Sequence, residues 1–213
     1  MWAIVVGAGS GARFGGAKQF AQLGDERVLD RSVRIAGEAC DGVVVVVPAE
    51  AAERERARFA GVVAGGATRA ASVARGLAQV PDDAEVICVH DAARPLATAE
   101  LYARVIAAVQ AGAEAAVPGL PLADTVKQIA PDGTVVATPD RAGLVTVQTP
   151  QAFVAAALRA AHADPALAAD PTITDDAAMV ERCGGRVVVV PGDPRNRKIT
   201  HPDDLSWARE ACR

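Results

Sequence analysis

Trp2-Ala3-Ile4-Val5-Val6-Gly7-Ala8-Gly9-Ser10-Gly11-Ala12-Arg13 is the stretch on which the fold turns. An apolar run of strand length passes directly into glycines, with no polar spacer between them. A run without alternation reads as a strand buried on both faces, as in parallel sheets. A glycine loop after such a strand lies at the carboxyl edge, where open α/β sheets bind ligands. The same pattern repeats outward. Apolar runs predict strands at 3–6, 43–47, 86–89, 115–117, 144–147 and 186–190. Between them, helical periods cover 29–39, 51–59, 69–79, 99–111, 153–162, 175–183 and 203–212.

This alternation implies right-handed crossovers and an α/β protein. The expected form is a three-layer αβα sandwich around a mostly parallel, Rossmann-like sheet. No fixed-period repeat or low-complexity linker divides the chain, so residues 1–213 read as one domain. Hydrophobic residues make up 51% of the sequence but aromatics only 3%, so the core must be aliphatic. A net charge of -4 argues against a nucleic-acid surface. Cys40, Cys88, Cys183 and Cys212 form no CxxC pair, which fits a reduced, cytoplasmic setting rather than a disulfide or zinc framework. No signal peptide is evident, and the longest pure aliphatic run, 43–47, is too short to cross a bilayer.

One segment breaks the alternation. Extended runs at 122–130 and 134–138 flank Pro131-Asp132-Gly133, the signature of a β-hairpin. Its faces carry few large apolar groups. Either it is a surface hairpin, or an arm that leaves the domain and packs on a second subunit; isolated hairpins need some partner.

Chemistry is suggested at three places. The first loop fits neither the G-x-G-x-x-G dinucleotide pattern nor a Walker loop, because Lys18 follows Ala17 and precedes Gln19. A glycine loop with two cations, Arg13 and Lys18, remains, and glycines let backbone N–H groups approach phosphate oxygens. Its position favours a triphosphate cradle over an ordinary turn. Next, His90-Asp91-Ala92-Ala93-Arg94-Pro95 follows the third apolar run. There Asp91 could hold Mg²⁺ against phosphate and Arg94 could fork onto a phosphate, or the pair could simply fix a turn. His90 reads best as a backbone-bonding residue. Last, Lys198 precedes Ile199 in an extended stretch that could turn one cation inward. Residues 172–176 read first as a helix N-cap with acids in the first turn. No nucleophile–base arrangement appears, so transfer by positioning and charge stabilisation is the expected chemistry.

Taken in order, these segments resemble the 2-C-methyl-D-erythritol 4-phosphate cytidylyltransferase family over nearly the whole chain. The matching pieces include the glycine loop with Arg13 and Lys18-Gln19, Gly65-Gly66-Ala67-Thr68-Arg69-Ala70-Ala71-Ser72-Val73 and His90–Pro95. Asp124-Thr125-Val126-Lys127, Asp140-Arg141, Thr149-Pro150-Gln151, Thr172-Ile173-Thr174-Asp175 and Lys198-Ile199-Thr200 also match. The resemblance implies a nucleotidyltransferase sheet, with CTP and a polyol phosphate as substrates and Mg²⁺ as cofactor. It implies that Gly7, Ala8, Gly9 and Gly11 cradle the triphosphate, and that Gly65, Gly66, Ala67 and Ser72 hold cytosine and ribose. Arg13, Lys18 and Lys198 would act on the α-phosphate and Asp91 on the metal and substrate. Arg94, Thr125, Thr149 and Thr174 would line the acceptor site. Arg141 would reach a neighbouring subunit's substrate, making residues 122–142 the arm of a homodimer.

The chain departs from the family pattern at Val6-Gly7-Ala8-Gly9, where Pro-Ala-Ala-Gly is usual, and at Ala17, where Pro is usual. Its spacing from Arg13 to Lys18 is also shorter, which predicts a more mobile loop and a less firmly held Lys18. A sibling ribitol-5-phosphate cytidylyltransferase is the nearest rival, disfavoured by the small Ala92-Ala93 pair. Another sugar-phosphate nucleotidyltransferase using UTP or GTP, and a catalytically silent nucleotide binder, are further alternatives. The latter has no need of Arg13, Lys18, Asp91 and Lys198 together.

Overall fold

The computed structural model describes residues 1–212. In chain order it runs β1 (Trp2–Val6), β2 (Gln22–Leu23), β3 (Glu26–Arg27), α1 (Val28–Ala39), β4 (Gly42–Val47), α2 (Ala52–Arg56) and β5 (Val62–Ala64). There follow α3 (Arg69–Leu77), β6 (Val86–Asp91), α4 (Ala99–Gln110), β7 (Ala115–Pro121), β8 (Gln128–Ile129), β9 (Val135–Ala137) and β10 (Val145–Val147). The last elements are β11 (Gln151–Val154), α5 (Ala155–Ala163), α6 (Pro165–Ala169), α7 (Asp176–Arg182), β12 (Val187–Pro191) and α8 (Pro202–Ala211).

The central sheet is mostly parallel and flanked by helices on both faces, as the alternation predicts. β5, β4, β1 and β6 pair in parallel. β11 then pairs antiparallel with both β6 and β7. One edge of β7 carries β12 in parallel; the other carries β10 and β11 in succession. Successive side chains divide the core into two layers. Ala3, Val5, Val45, Val47 and Cys88 meet Leu29, Ile35, Val105 and Ile106 of α1 and α4. Ile4, Val44, Val46, Ile87 and Val89 meet Val73, Leu77, Leu158 and Met179 of α3, α5 and α7. Each such side chain contributes about 1.5–3 kcal/mol by leaving water, so the aliphatic runs fix the sheet without aromatic help. Register then sets the site: Val6 lies opposite Val46 on one side and Asp91 on the other, so the loop after β1 and the end of β6 share one edge.

Several boundaries differ from the expectation. The strand expected at 86–89 continues through His90 to Asp91, making both strand residues. The helix expected at 153–162 begins at Ala155, because Gln151–Val154 forms β11. No turn residue separates that strand from the Ala-rich helix, so the period alone joins them. The helix expected at 51–59 shrinks to α2 after a 3₁₀ turn at Ala49–Ala51. β5 is an addition to the expected strands, too short at three residues to stand out as an apolar run.

The expected hairpin is present but short. β8 and β9 form a separate two-stranded sheet, with Gly133 at φ 85° in its turn. Ile129 and Val136 are each 62% exposed, so neither face is covered by its own domain. Among the described residues, no helix is long and apolar enough to cross a membrane.

Candidate active site

A cleft of about 570 Å³ opens at this carboxyl edge. Its lining includes the loop from Gly7 to Arg13, Lys18, Gln19, the stretch from Gly66 to Arg69, Ser72, Asp91, Ala92, Ala93 and Lys198. Sequence stretches far apart in the chain therefore meet at one place.

The glycine loop folds around a carbonyl. Gly11 O accepts from the N–H groups of Phe14, Gly15 and Gly16. Gly11 has φ +69°, and a Cβ there would stand 1.8 Å from Gly16 O, so only glycine fits. Gly7 spends its N–H on Val46 O, at 2.7 Å. Among the described residues, by contrast, the N–H groups of Ala8, Gly9, Ser10, Gly11, Ala12 and Arg13 have no protein acceptor. A run of unpaired amides on a cleft wall is an anion-binding arrangement. Lys18 starts a 3₁₀ turn, Lys18–Phe20, and buried Gln19 donates to Gly9 O at 3.3 Å. Burial, then the neighbouring Lys198 and Arg13 cations, push the Lys18 ammonium below its ordinary value. Lys18 thus lies close enough to both other cations to be repelled by them, a configuration that an anion relieves.

The opposite wall is the start of α3. Thr68 caps it, accepting from Ala71 N–H at 3.0 Å. Ser72 Oγ accepts from Gly66 N–H at 3.1 Å and donates to Thr68 O at 2.9 Å. Gly65 does not line the cleft; it packs behind it, where a Cβ would stand 2.2 Å from Ala8 Cβ. Its smallness lets the two walls touch.

Asp91 forms the floor. Its Oδ1 accepts from Arg69 Nε at 3.1 Å, and its Oδ2 from Lys198 Nζ at 2.5 Å. Burial alone would raise this carboxyl, but the Arg69 guanidinium and then the Lys198 ammonium outweigh it and hold it well below the usual range. Its backbone N–H donates to Thr149 Oγ1 at 3.0 Å, and Thr149 Oγ1 lies 3.2 Å from His90 Nδ1. His90 Nε2 meets the Arg94 carbonyl at 3.1 Å, so the network assigns the ring proton to Nε2 and leaves Nδ1 to accept from Thr149. Burial lowers the His90 pKa to about 4, keeping the ring neutral. His90 is thus a strut bonding the loop backbone, as its sequence context suggests.

The other expected site residues lie apart from this cleft. Arg94 donates to Asn196 O at 2.8 Å and Val147 O at 3.3 Å, and burial lowers its pKa. Thr149 is buried between Asp91 N–H and His90 Nδ1, both of which its hydroxyl meets. Thr174 is exposed; the N-cap of α7 is Asp175, which accepts from Ala178 N–H at 2.9 Å. Thr125 and Arg141 lie exposed in the arm, with Arg141 donating to Ala123 O. Arg69 stands in the glycine–serine stretch, where sequence reasoning gives it no role. Its two carboxylate partners lie 22 and 107 residues away in sequence, a separation that no local pattern reveals.

A glycine loop with free amides, cations gathered beside it and a carboxylate at a strand end form a cleft suited to the phosphates of a nucleotide. The family model for 2-C-methyl-D-erythritol 4-phosphate cytidylyltransferase matches residues 1–212, and the chain belongs to that family. It is 48% identical to the 2-C-methyl-D-erythritol 4-phosphate cytidylyltransferase of Rhodococcus opacus (strain B4), over 97% of this chain and 92% of that one. It is also 44% identical to the bifunctional enzyme IspD/IspF of Nitratidesulfovibrio vulgaris (strain DP4), over 96% of this chain. The chain spans only 56% of that relative's length. The crystal structure of 2-C-methyl-D-erythritol 4-phosphate cytidylyltransferase from Thermus thermophilus is similar at TM-score 0.82 and 34% identity, covering 98% of this chain and 97% of that one. That of 4-diphosphocytidyl-2C-methyl-D-erythritol synthase from Anaerococcus prevotii is similar at TM-score 0.85 and 29% identity, covering 99% and 97%.

Proposed function

We propose that the protein transfers the cytidylyl group of CTP to 2-C-methyl-D-erythritol 4-phosphate and releases pyrophosphate. The observation that carries this reading is one cleft lined both by the loop whose amides from Ala8 to Arg13 have no protein acceptor and by the cations Arg13, Lys18 and Lys198. The amides receive the outer phosphates. The cations sit on the α-phosphate, where an acceptor phosphate oxygen attacks and the bond to the β-phosphate breaks. That acceptor oxygen is already an anion, so no general base is needed. The barrier is repulsion between two anions, which fixed cations reduce. Gly66, Ala67 and Ser72 bound the side on which the base and ribose lie, with Gly65 supporting them from behind.

Mg²⁺ would neutralise phosphate charge and hold the leaving pyrophosphate. Such ions commonly take one or two carboxylates and fill the remaining positions with phosphate oxygens and water. Among the described residues lining the cleft Asp91 is the one carboxylate, and no cluster of three or more ligating side chains exists. The residues present fit a metal held largely by the nucleotide, provided that Lys198 gives up Asp91 Oδ2 and turns to the phosphates. Thr125 and Thr174 are free to meet the acceptor; Arg94 and Thr149, already bonded within the protein, contribute by fixing the walls.

The arm completes this reading. Residues 122–142 exchange between two subunits, and Arg141 reaches the partner's acceptor phosphate. The exposed Ile129, Val135 and Val136 support it, since such a patch is commonly covered by another protein surface. Arg141→Ala and Asp91→Ala, each inactive alone, should regain part of their activity when refolded together, because a mixed dimer holds one native site. Mixed dimers that stay inactive would confine Arg141 to its own subunit. The reaction itself is tested by pyrophosphate release across four nucleoside triphosphates and several polyol phosphates. CTP with methylerythritol 4-phosphate should far exceed the other pairs, because polar groups matched to cytosine are left unpaired by other bases. Equal turnover of ribitol 5-phosphate would move the chain to the sibling activity.

A further inference from the structure

Arg69 sits at the first position of α3 and reaches two carboxylates from different parts of the fold. Nε holds Asp91 at the end of β6, at 3.1 Å, and Nη1 holds Asp176 at the start of α7, at 2.7 Å. Asp176 is fully buried, and its other oxygen accepts from His162 Nε2 of α5 at 2.9 Å. The line from the cleft floor therefore runs Asp91, Arg69, Asp176, His162, and ends between two helices. Asp91's other partner is different in kind: the Lys198 side chain is 40% exposed, on a segment outside any helix or strand, and it ends in a single ammonium.

We propose that Arg69, anchored from behind by Asp176, is the positioning residue that holds Asp91 at the cleft floor when Lys198 turns to the nucleotide phosphates. The inference rests on the nucleotidyl-transfer reading above. A carboxylate that loses Lys198 while buried needs a remaining cation to stay ionised and oriented. A guanidinium can supply it, because its planar fork serves two carboxylates at once without rotating. Asp176, held by both Arg69 and His162, stops that fork from following Asp91 into the cleft. Lysine in place of Arg69 would supply the charge but not the fork.

The experiment compares Arg69→Gln, Arg69→Lys and Asp176→Asn in the full chain, reading kcat and the KM for CTP. Arg69→Gln should lose on the order of 100-fold in kcat, as expected when a group at the site is misplaced, with little change in KM. Arg69→Lys, which keeps the charge but not the fork, should restore only part of kcat. Asp176→Asn, which preserves shape, should lower kcat several-fold at unchanged KM. Wild-type kcat in Arg69→Gln or in Asp176→Asn, or a loss that falls on KM alone, would overturn the proposal. Should the Arg69 variants fold poorly, the wild-type complex with CTP decides. Arg69 must still bond Asp91 with Lys198 on the phosphates, and the reverse exchange of partners would refute the assignment. A protein that binds CTP in this way but releases no pyrophosphate would instead count against the reaction, and the Arg69 bond would still be read from the complex.

Discussion

The cleft floor and the arm treat their polar and apolar groups in opposite ways. At the floor, Asp91 is buried and bonded through both carboxylate oxygens and its backbone N–H. In the arm, Lys127 bonds only Thr138, just past the end of β9, while Ile129, Val135 and Val136 remain exposed. The floor is thus organised before any ligand arrives, since its charges cancel internally. The arm is left incomplete by its own domain, and its order must come from local turn chemistry or from something placed against it. Preorganisation belongs where charge is to be stabilised; an uncovered hairpin is the form expected of a surface for association.

Substitutions can widen or close this difference. The largest effect is expected for Lys198→Ala, with kcat falling by ~10²–10³ in a steady-state assay and CTP affinity changing little, as for loss of one charge-stabilising donor. Normal kcat with a raised KM would reduce Lys198 to a binding group. Next comes acid stability. His90 has its pKa lowered from 6.5 to about 4, so the unfolded chain takes up this proton first as pH falls. Its contribution is complete above pH 6.5 and is lost progressively down to about 4. The depression is worth about 3 kcal/mol. Urea midpoints should fall across that window, and His90→Gln should flatten the fall; an unchanged slope would mean that the ring is not held neutral. The losses from Asp91 and Asp176 come at lower pH, since both carboxyls sit below 3.8.

Smaller effects should follow at the glycines and in the arm. Gly65→Ala forces a Cβ to 2.2 Å from Ala8 Cβ, and overpacking of this kind costs about 1–3 kcal/mol. Calorimetry should show it, together with weaker CTP binding, because the strained neighbour belongs to the phosphate loop. Val136→Thr, on the exposed side of the arm, should change the stability of the isolated subunit by less than ~0.5 kcal/mol. Sedimentation should nevertheless show weaker self-association. A drop in subunit stability as large as that of Gly65→Ala would erase the contrast between arm and floor.

Sequence patterns exposed the parts of the molecule governed by local rules. β1, β4 and β6 are built on apolar runs and are legible as buried strands, whereas β12 is legible as a strand but leaves Val189 54% exposed. Gly11 and Lys18 stood out because phosphate loops need small residues and nearby cations. What stayed hidden depends on distant partners. β11 is a strand because β6 and β7 leave a slot between them, whereas Phe153 and Val154 by themselves continue a helical pattern. Thr149 reads from the sequence as an acceptor-site residue, yet the fold gives its hydroxyl to Asp91 N–H and His90. Arg69 is recognisable only when three elements meet at its guanidinium.

Where the arm rejoins the domain has a mechanical consequence. Val147 closes the arm's return strand and gives its carbonyl to Arg94; Gln148 is buried, and Thr149 bonds the backbone of Asp91. The arm is therefore a handle whose pivot lies beside the carboxylate of the cleft floor rather than at a remote surface helix. Force applied at residues 128–137 would enter the domain through β7 and through this pivot.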